Sequence, residues 1–232
     1  MTTIKNPGRN AGLLYVVTSV FGFFAMGYVP SKLIVHGDAA TTANNISASE
    51  TLFRLGIASE LIAMAGFIFV ALALYELFKG VDRRQAALMV ILIVVSIPIA
   101  FLNEVNSMAA LLLVRGSDFL SVFEKNQREA LAMLFLNLHD RGLVFSELFW
   151  GLWLFPLGGL VYKSRFLPRF LGIWLVLAGF AWVILSFTGI LLPQYADKLN
   201  TYFQPAILGE IAFMLWLVIK GGKPPQMDAA AR

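Results

Sequence analysis

Residues 50–79, ETLFRLGIASELIAMAGFIFVALALYELFK, decide the fold class of this chain. Between Leu52 and Phe78 the stretch is almost wholly apolar, and a helix needs only about 20 such residues to cross a bilayer. The stretch also contains Glu60. A carboxylate in hydrocarbon is costly unless it faces a bundle interior, a hydrated cavity or a partner charge. The sequence therefore predicts a membrane span that carries a buried acid.

Five further apolar segments accompany this one along the 232-residue chain. The six predicted spans cover residues 11–29, 52–78, 85–114, 143–162, 170–192 and 205–219. Only 14% of the residues are charged, whereas soluble domains have about 25%. We therefore expect an all-α, polytopic transmembrane bundle of six helices formed by residues 11–220 as a single membrane domain. Residues 1–10 are expected to be a cytoplasmic tail, and residues 221–232 a disordered cytoplasmic tail.

The distribution of basic residues predicts the orientation of the bundle. With the N-terminus in the cytoplasm, 11 of the 18 Lys and Arg residues lie at inner ends of the spans and 5 at outer ends. Inner loops carry the excess of positive charge, so both termini are predicted to be cytoplasmic. This excess of inner Lys and Arg accounts for the net charge of +4. Because the sequence has no basic stripe interleaved with aromatic residues, we expect no nucleic-acid binding. The chain has no cysteine, which excludes disulfides and thiolate metal sites.

Residues 117–137 have two interpretations. Apolar residues flank the charged run between Glu124 and Glu129. Either an amphipathic helix lies on the outer surface between spans three and four, or the fourth helix projects beyond the membrane. We favour the surface helix, joined to the fourth span near residues 139–142.

Four glutamates lie in four different predicted spans: Glu60, Glu104, Glu147 and Glu210. At about 1.5 Å per residue, Glu60 and Glu104 are about 28 Å from the inner ends of their spans, so the acids cluster toward the outer leaflet. The sixth predicted span, starting at Pro205, is only about 22 Å long. A short span with an outer N-terminus predicts a water-filled vestibule on that side.

Three other polar residues accompany these acids. Arg54 pairs either with Glu50 on its own helix face, or with Glu210 or Glu104 across the bundle. Asn103 either makes an interhelical hydrogen bond or lines a ligand site. His139 is eight residues from Glu147, so the two share a helix face if that helix is unbroken; they suggest either a metal site or a solvated histidine. With no His-Glu-x-x-His or Gly-x-Ser-x-Gly motif, we predict no catalytic residue, metal ligand or cofactor.

Several motifs are similar to those of a known family. They are ETLFRLGI at 50–57 with LYELFK at 74–79, FWGLWLFPLG at 149–158 with YKSRFLPRFLG at 162–172, and LGEIAFMLWLVIK at 208–220. Together they resemble the bacterial integral-membrane family called domain of unknown function 4386, over nearly the whole chain. The resemblance implies a multi-pass protein of the bacterial inner membrane. It implies no activity and no catalytic residue.

Three classes of function remain open from the residues. The first is a protein that binds or passes a small polar or cationic ligand, or a lipid head group, in an outward-facing intramembrane pocket. Its candidate ligand-binding residues are Arg54, Glu60, Asn103, Glu104, His139, Glu147 and Glu210. The second is a structural partner in a membrane-protein complex, in which these groups only join helices. The third is a membrane-embedded metal-dependent hydrolase that uses His139 with Glu147.

Overall fold

The computed structural model describes residues 6–224, and every regular element in that range is helical. The α-helices are α1 (Pro7–Phe23), α2 (Val29–Leu33), α3 (Ala39–Ala48), α4 (Glu50–Phe78), α5 (Arg83–Arg115), α6 (Lys125–Leu152), α7 (Leu154–Ser164), α8 (Arg169–Leu191) and α9 (Ala196–Ile219). A π-helical turn joins α1 to α2 at Phe24–Tyr28, and 3₁₀ turns occupy Asp118–Leu120 and Pro193–Tyr195. Lys5 and Arg232 of the charge count, and residues 225–232 of the expected tail, lie outside the described residues.

Six helical stretches are long and apolar enough to cross a membrane, which confirms the predicted fold class and the number of spans. They are Pro7–Leu33, Glu50–Phe78, Arg83–Arg115, Lys125–Ser164, Arg169–Leu191 and Pro193–Ile219. Helices suit such segments because each satisfies its own backbone hydrogen bonds where water is scarce. The observed stretches extend past most of the predicted ends, because polar residues at span ends continue the helix.

The preferred surface helix between spans three and four is not confirmed. Residues Lys125–Leu152 form one continuous helix, so the alternative of an extended fourth helix describes the chain. The predicted junction between the surface helix and the fourth span, near residues 139–142, lies inside this helix. An isolated glycine inside a helix is tolerated at a cost of about 1 kcal/mol relative to alanine. Gly142 therefore remains helical, and its missing side chain leaves space for the Asn103 amide.

The predicted start of the sixth span at Pro205 is wrong, because α9 begins at Ala196 and contains Pro205 in its interior. A proline inside a helix removes one backbone donor, here the one that would bind the Thr201 carbonyl oxygen, but α9 continues through Pro205. Here the indole Nε1 of Trp174 donates a hydrogen bond to the Pro205 carbonyl oxygen at 2.9 Å. The sixth span is thus not short, and the vestibule inferred from its length loses its basis.

The helices contribute to two compact units. Unit 1 comprises residues up to Val16, Gly66–Val95, and residues from Glu147 onward. Its core contains large buried side chains of several helices, including Tyr15, Phe78, Trp153 and Phe213. Unit 2 comprises Val17–Ala65 and Ser96–Ser146.

Glycines allow α7 and α8 to pack closely within unit 1. A Cβ atom added at Gly172 would lie 2.6 Å from the carbonyl oxygen of Gly158 and 2.7 Å from the backbone nitrogen of Tyr162. Both neighbours are backbone atoms, which cannot move aside as a flexible side chain can. The helix pair therefore depends on a small residue at this position, as close helix pairs in membranes often do.

We predict that Gly172→Ala lowers the free energy of unfolding by about 1–3 kcal/mol, the usual cost of overpacking. Gly80→Ala is the matched control, because no heavy atom lies within 4 Å of a Cβ atom built at that turn residue. Thermal unfolding of both variants in detergent measures the difference. Equal melting temperatures for the two variants would contradict the close packing.

Candidate functional site

The polar centre of unit 2 consists of one side chain from each of α4, α5 and α6. Glu60 and Glu104 are each only 4% exposed, so both carboxylates are almost completely removed from solvent. The Nε2 atom of His139 lies 2.6 Å from Oε1 of Glu104 and 3.8 Å from Oε2 of Glu60. Three helices thus place an imidazole between two buried acids. We call Glu60, Glu104 and His139 the acid–histidine cluster.

One oxygen of the cluster lacks a partner. Oε1 of Glu60 is buried and accepts no hydrogen bond from any of residues 6–224. A buried polar atom without a partner costs about 1–3 kcal/mol, and more when it is charged. Such atoms are rare in native proteins and call for an explanation, of which an ion is one. Glu60 therefore has capacity to bind a further group.

A second set of contacts holds α5 against α6 beside the cluster. The Asn103 side chain donates a hydrogen bond from Nδ2 to the backbone carbonyl oxygen of His139 at 2.9 Å. It also accepts one from Nδ2 of Asn106 at 3.2 Å. A Cβ atom on Gly142 would overlap the Asn103 amide, so the glycine makes room for it. Asn103 thereby fixes the position of His139 along the axis of α6 relative to Glu104 on α5.

A cavity of about 60 Å³ borders the acid–histidine cluster, within unit 2. Space of this size holds a few waters, at about 10–15 Å³ for each. Its walls are mostly apolar side chains from α2, α4 and α6, and its polar lining consists of Glu60, Glu104, Ser107, His139 and Asp140. The cavity therefore presents a concentrated set of polar groups on an apolar background, as ligand sites usually do.

The charges that line this cavity do not balance. Of the lining residues, which all belong to the described part of the chain, His139 alone can carry a positive charge. It faces Glu60 and Glu104, and the Asp140 carboxylate lies 3.7 Å from its Nδ1 atom. Buried charges persist only when they are paired or bound to an ion. The lining has more acids than it has cations to pair with them.

Glu210 has a different environment, in unit 1. The hydroxyl group of Tyr15 donates a hydrogen bond to Oε1 of Glu210. The Tyr15 ring is 2% exposed and packs on Phe67 and Trp153, with ring centroids 5.4 and 6.1 Å away. This acid therefore has a neutral donor held in a rigid aromatic group.

Glu147 and Arg54 are the remaining predicted site residues. Glu147 is half-buried on α6 in unit 1 and is not among the residues that line the cavity. Arg54 pairs with Glu50, its Nε lying 2.7 Å from Oε1, and both side chains are about one-third or more exposed. The partner of Arg54 is therefore the acid on its own helix face. Within unit 2, the exposed Arg54 side chain makes this ion pair rather than a buried one with Glu104.

The acid–histidine cluster has the composition of a metal site. Each of its three residues offers one ligand atom, and these atoms lie within 4.8 Å of one another. Carboxylate oxygens and an imidazole nitrogen are common ligands of divalent metals. The cluster can therefore accept either a small organic cation, by ion pairing, or a metal ion, by coordination.

Sequence analysis does not single out Tyr15 as the partner of Glu210. It pairs His139 with Glu147 rather than with the two acids, Glu60 and Glu104, that lie on other helices. One signal was present: Leu136, His139, Asp140 and Leu143 follow the spacing of one helix face, and all four line the cavity. These four residues share one face only if the helix is continuous through this segment.

Comparison with known proteins identifies a family without a described activity. The model of the family described as "Domain of unknown function (DUF4386)" matches residues 10–221. An uncharacterized protein of Archaeoglobus fulgidus is 38% identical over 95 residues, which is 38% of this chain and 54% of that protein. The chain thus spans about half the length of the curated relative it matches. No solved structure shows a significant match.

We predict that Arg54→Ala changes the free energy of unfolding by less than about 0.5 kcal/mol, because exposed ion pairs contribute little. Gly142→Ala should instead lower it by about 1–3 kcal/mol by displacing the Asn103 amide. The contrast is informative because Gly→Ala in an unconstrained helix is stabilising. Thermal unfolding in detergent measures both, and a large loss for Arg54→Ala would show that Arg54 has a role beyond pairing with Glu50.

Proposed function

This chain belongs to the DUF4386 family, and we propose that it is a multi-pass membrane protein that binds a small cation in the cavity of unit 2. Glu60 and Glu104 supply the negative charge, and His139 lies between them. Asn103 positions His139, while Ser107 adds a hydroxyl group to the lining. Glu147 and Glu210 are not needed for this function.

The observation that carries the proposal is the excess of buried acid in the lining. Glu60 and Glu104 are both 4% exposed, and His139 is the cation that they share. Oε1 of Glu60 has no hydrogen-bond partner within residues 6–224. A bound cation would pair with this oxygen and offset the remaining negative charge. Ionisable groups inside a membrane usually mark a ligand or ion pathway for the same reason.

The size of the cavity selects among ligands. At about 60 Å³ it is far smaller than the about 300–1,000 Å³ of typical small-molecule pockets. A lipid head group carries a phosphate, which the carboxylates of Glu60 and Glu104 would repel. An inorganic cation with a few waters, or an amine of one or two carbons, matches both the volume and the charge.

The proposed setting is the bacterial inner membrane, with both termini in the cytoplasm and the cavity reached from outside. The positive-inside distribution of Lys and Arg supports this orientation. Unit 2 contains the connections at residues 34–49 and 116–124, which that distribution assigns to the outer side. A ligand would then enter from the periplasm.

The test measures thermal stability of the purified protein in lipid nanodiscs with Na⁺, K⁺, Mg²⁺, Zn²⁺, ammonium and methylammonium. We predict that at least one cation stabilises the protein, by about 2.7 kcal/mol at 100 times its dissociation constant. Glu60→Gln and Glu104→Gln should remove this effect while keeping the protein folded, because each replaces a buried charge by a neutral group of the same shape.

Glu76→Gln is the matched control, since Glu76 is on the same helix as Glu60 but is exposed and paired with Lys79. It should respond to the cation as the unaltered protein does. The proposal fails if no cation stabilises the protein, or if all three glutamine variants respond equally.

A further inference from the structure

We propose that the cation is a divalent transition metal ion coordinated by Glu60, Glu104 and His139, an inference that rests on the proposed cation-binding function. The three residues come from α4, α5 and α6, so coordination would join three spans. Their ligand atoms already lie within 4.8 Å of one another.

The geometry requires only small adjustments. Zn²⁺ binds nitrogen and oxygen ligands at about 2.0–2.2 Å, so ligand atoms in a tetrahedral site are about 3.3 Å apart. The Nε2 atom of His139 is 2.6 Å from Glu104 and 3.8 Å from Glu60, on either side of that separation. A metal between them would replace the hydrogen bond between His139 and Glu104. Because all three ligand atoms lie within 4.8 Å of one another, no separation has to change by more than about 1.5 Å to reach this value.

Glu60 supplies an independent indication of a ligand. Its Oε1 atom is buried and without a hydrogen-bond partner among residues 6–224, and its side chain lines the cavity. The residue as a whole is 4% exposed, so bulk water does not satisfy this oxygen. A metal ion would bind it directly, or through a water in the cavity.

Charge favours a divalent ion over a monovalent one. Two carboxylates and a neutral imidazole carry a charge of −2, which a divalent cation cancels. A neutral complex is the least costly state in a low-dielectric interior, where an uncompensated ion carries a large desolvation penalty. The imidazole is neutral in this sum because a metal ion bound to Nε2 takes the place of its proton; a monovalent ion bound at the same atom would leave one buried negative charge on Glu60 or Glu104.

The ligand types narrow the choice of metal. Imidazole with carboxylates suits Zn²⁺, Mn²⁺, Fe²⁺ and Co²⁺, whereas Mg²⁺ and Ca²⁺ prefer oxygen ligands alone. The chain has no cysteine, so the soft thiolate ligands that favour Cu⁺ are absent from the sequence. Three protein ligands leave a fourth position, and the cavity of about 60 Å³ has room there for water or a small ligand.

Two neighbours would orient the histidine. Metal-binding histidines usually have the other ring nitrogen directed at a carboxylate or carbonyl group. The Asp140 carboxylate lies 3.7 Å from Nδ1 of His139, and Asn103 holds the backbone of His139 through its carbonyl oxygen. These two residues would act as positioning residues, not as ligands.

The experiment uses the full-length protein purified with a tag that contains no histidine. After chelation, it is titrated with Co²⁺, whose visible absorption reports coordination, and then with Zn²⁺, followed by elemental analysis. We expect one metal ion per chain. Glu60→Gln, Glu104→Gln and His139→Gln should each weaken binding by more than about 100-fold, whereas Asp140→Asn, as an outer partner, should weaken it by about 10-fold.

His36→Gln is the matched control, because His36 is the other histidine of the chain and is exposed. It should bind Co²⁺ with unchanged affinity and spectrum. Each variant is also melted without metal, so that a folding defect is separated from a loss of ligation.

The outcomes distinguish the two proposals. Binding that His139→Gln and Glu60→Gln leave unchanged would be a surface site, and would overturn the metal assignment. If no divalent metal binds but methylammonium or Na⁺ stabilises the protein and Glu60→Gln removes the effect, the metal inference fails and the cation-binding function stands. If neither metals nor other cations bind, both proposals fail.

Discussion

Two carboxylates held out of water against a single imidazole are the constraint on which unit 2 depends. Glu60 and Glu104 cannot both remain charged in an apolar bundle without a compensating group. His139 meets that need in part, and it can do so only if α4, α5 and α6 keep a common register. The rest of the site serves this register: Asn103 attaches to the backbone of α6 at His139, and Gly142 leaves space for the amide.

Glu210 in unit 1 and Glu60 in unit 2 have chemically different surroundings. In unit 1, Glu210 has a hydroxyl donor, Tyr15, whose ring is packed against other aromatic rings. Glu210 therefore has a neutral hydrogen-bond donor and rigid aromatic surroundings. In unit 2, Glu60 retains an oxygen without a partner, beside a cavity. A satisfied acid is sufficiently explained by structure, whereas an acid with spare bonding capacity indicates a ligand.

Part of this arrangement could be predicted from the sequence and part could not. Long apolar runs such as residues 52–78 indicated membrane spans, because hydrophobic length is set by bilayer thickness. The two segments whose helix boundaries were predicted incorrectly each contain a residue that usually breaks a helix. Gly142 and Pro205 each remain inside a helix, and each lies against a tertiary neighbour, the Asn103 amide or the Trp174 indole. Local residue preferences do not contain that information.

By itself, the sequence determined the helical membrane class, the number of spans and the set of acids that had to be shielded from lipid. It did so because hydropathy and charge are properties of local composition. Only the tertiary structure decided that Glu60 and Glu104 meet His139, and that Glu210 meets Tyr15. Each helical residue turns about 100° from the last, so a shift of one residue in register redirects a side chain. Contacts between distant helices set that register, and no local pattern records it.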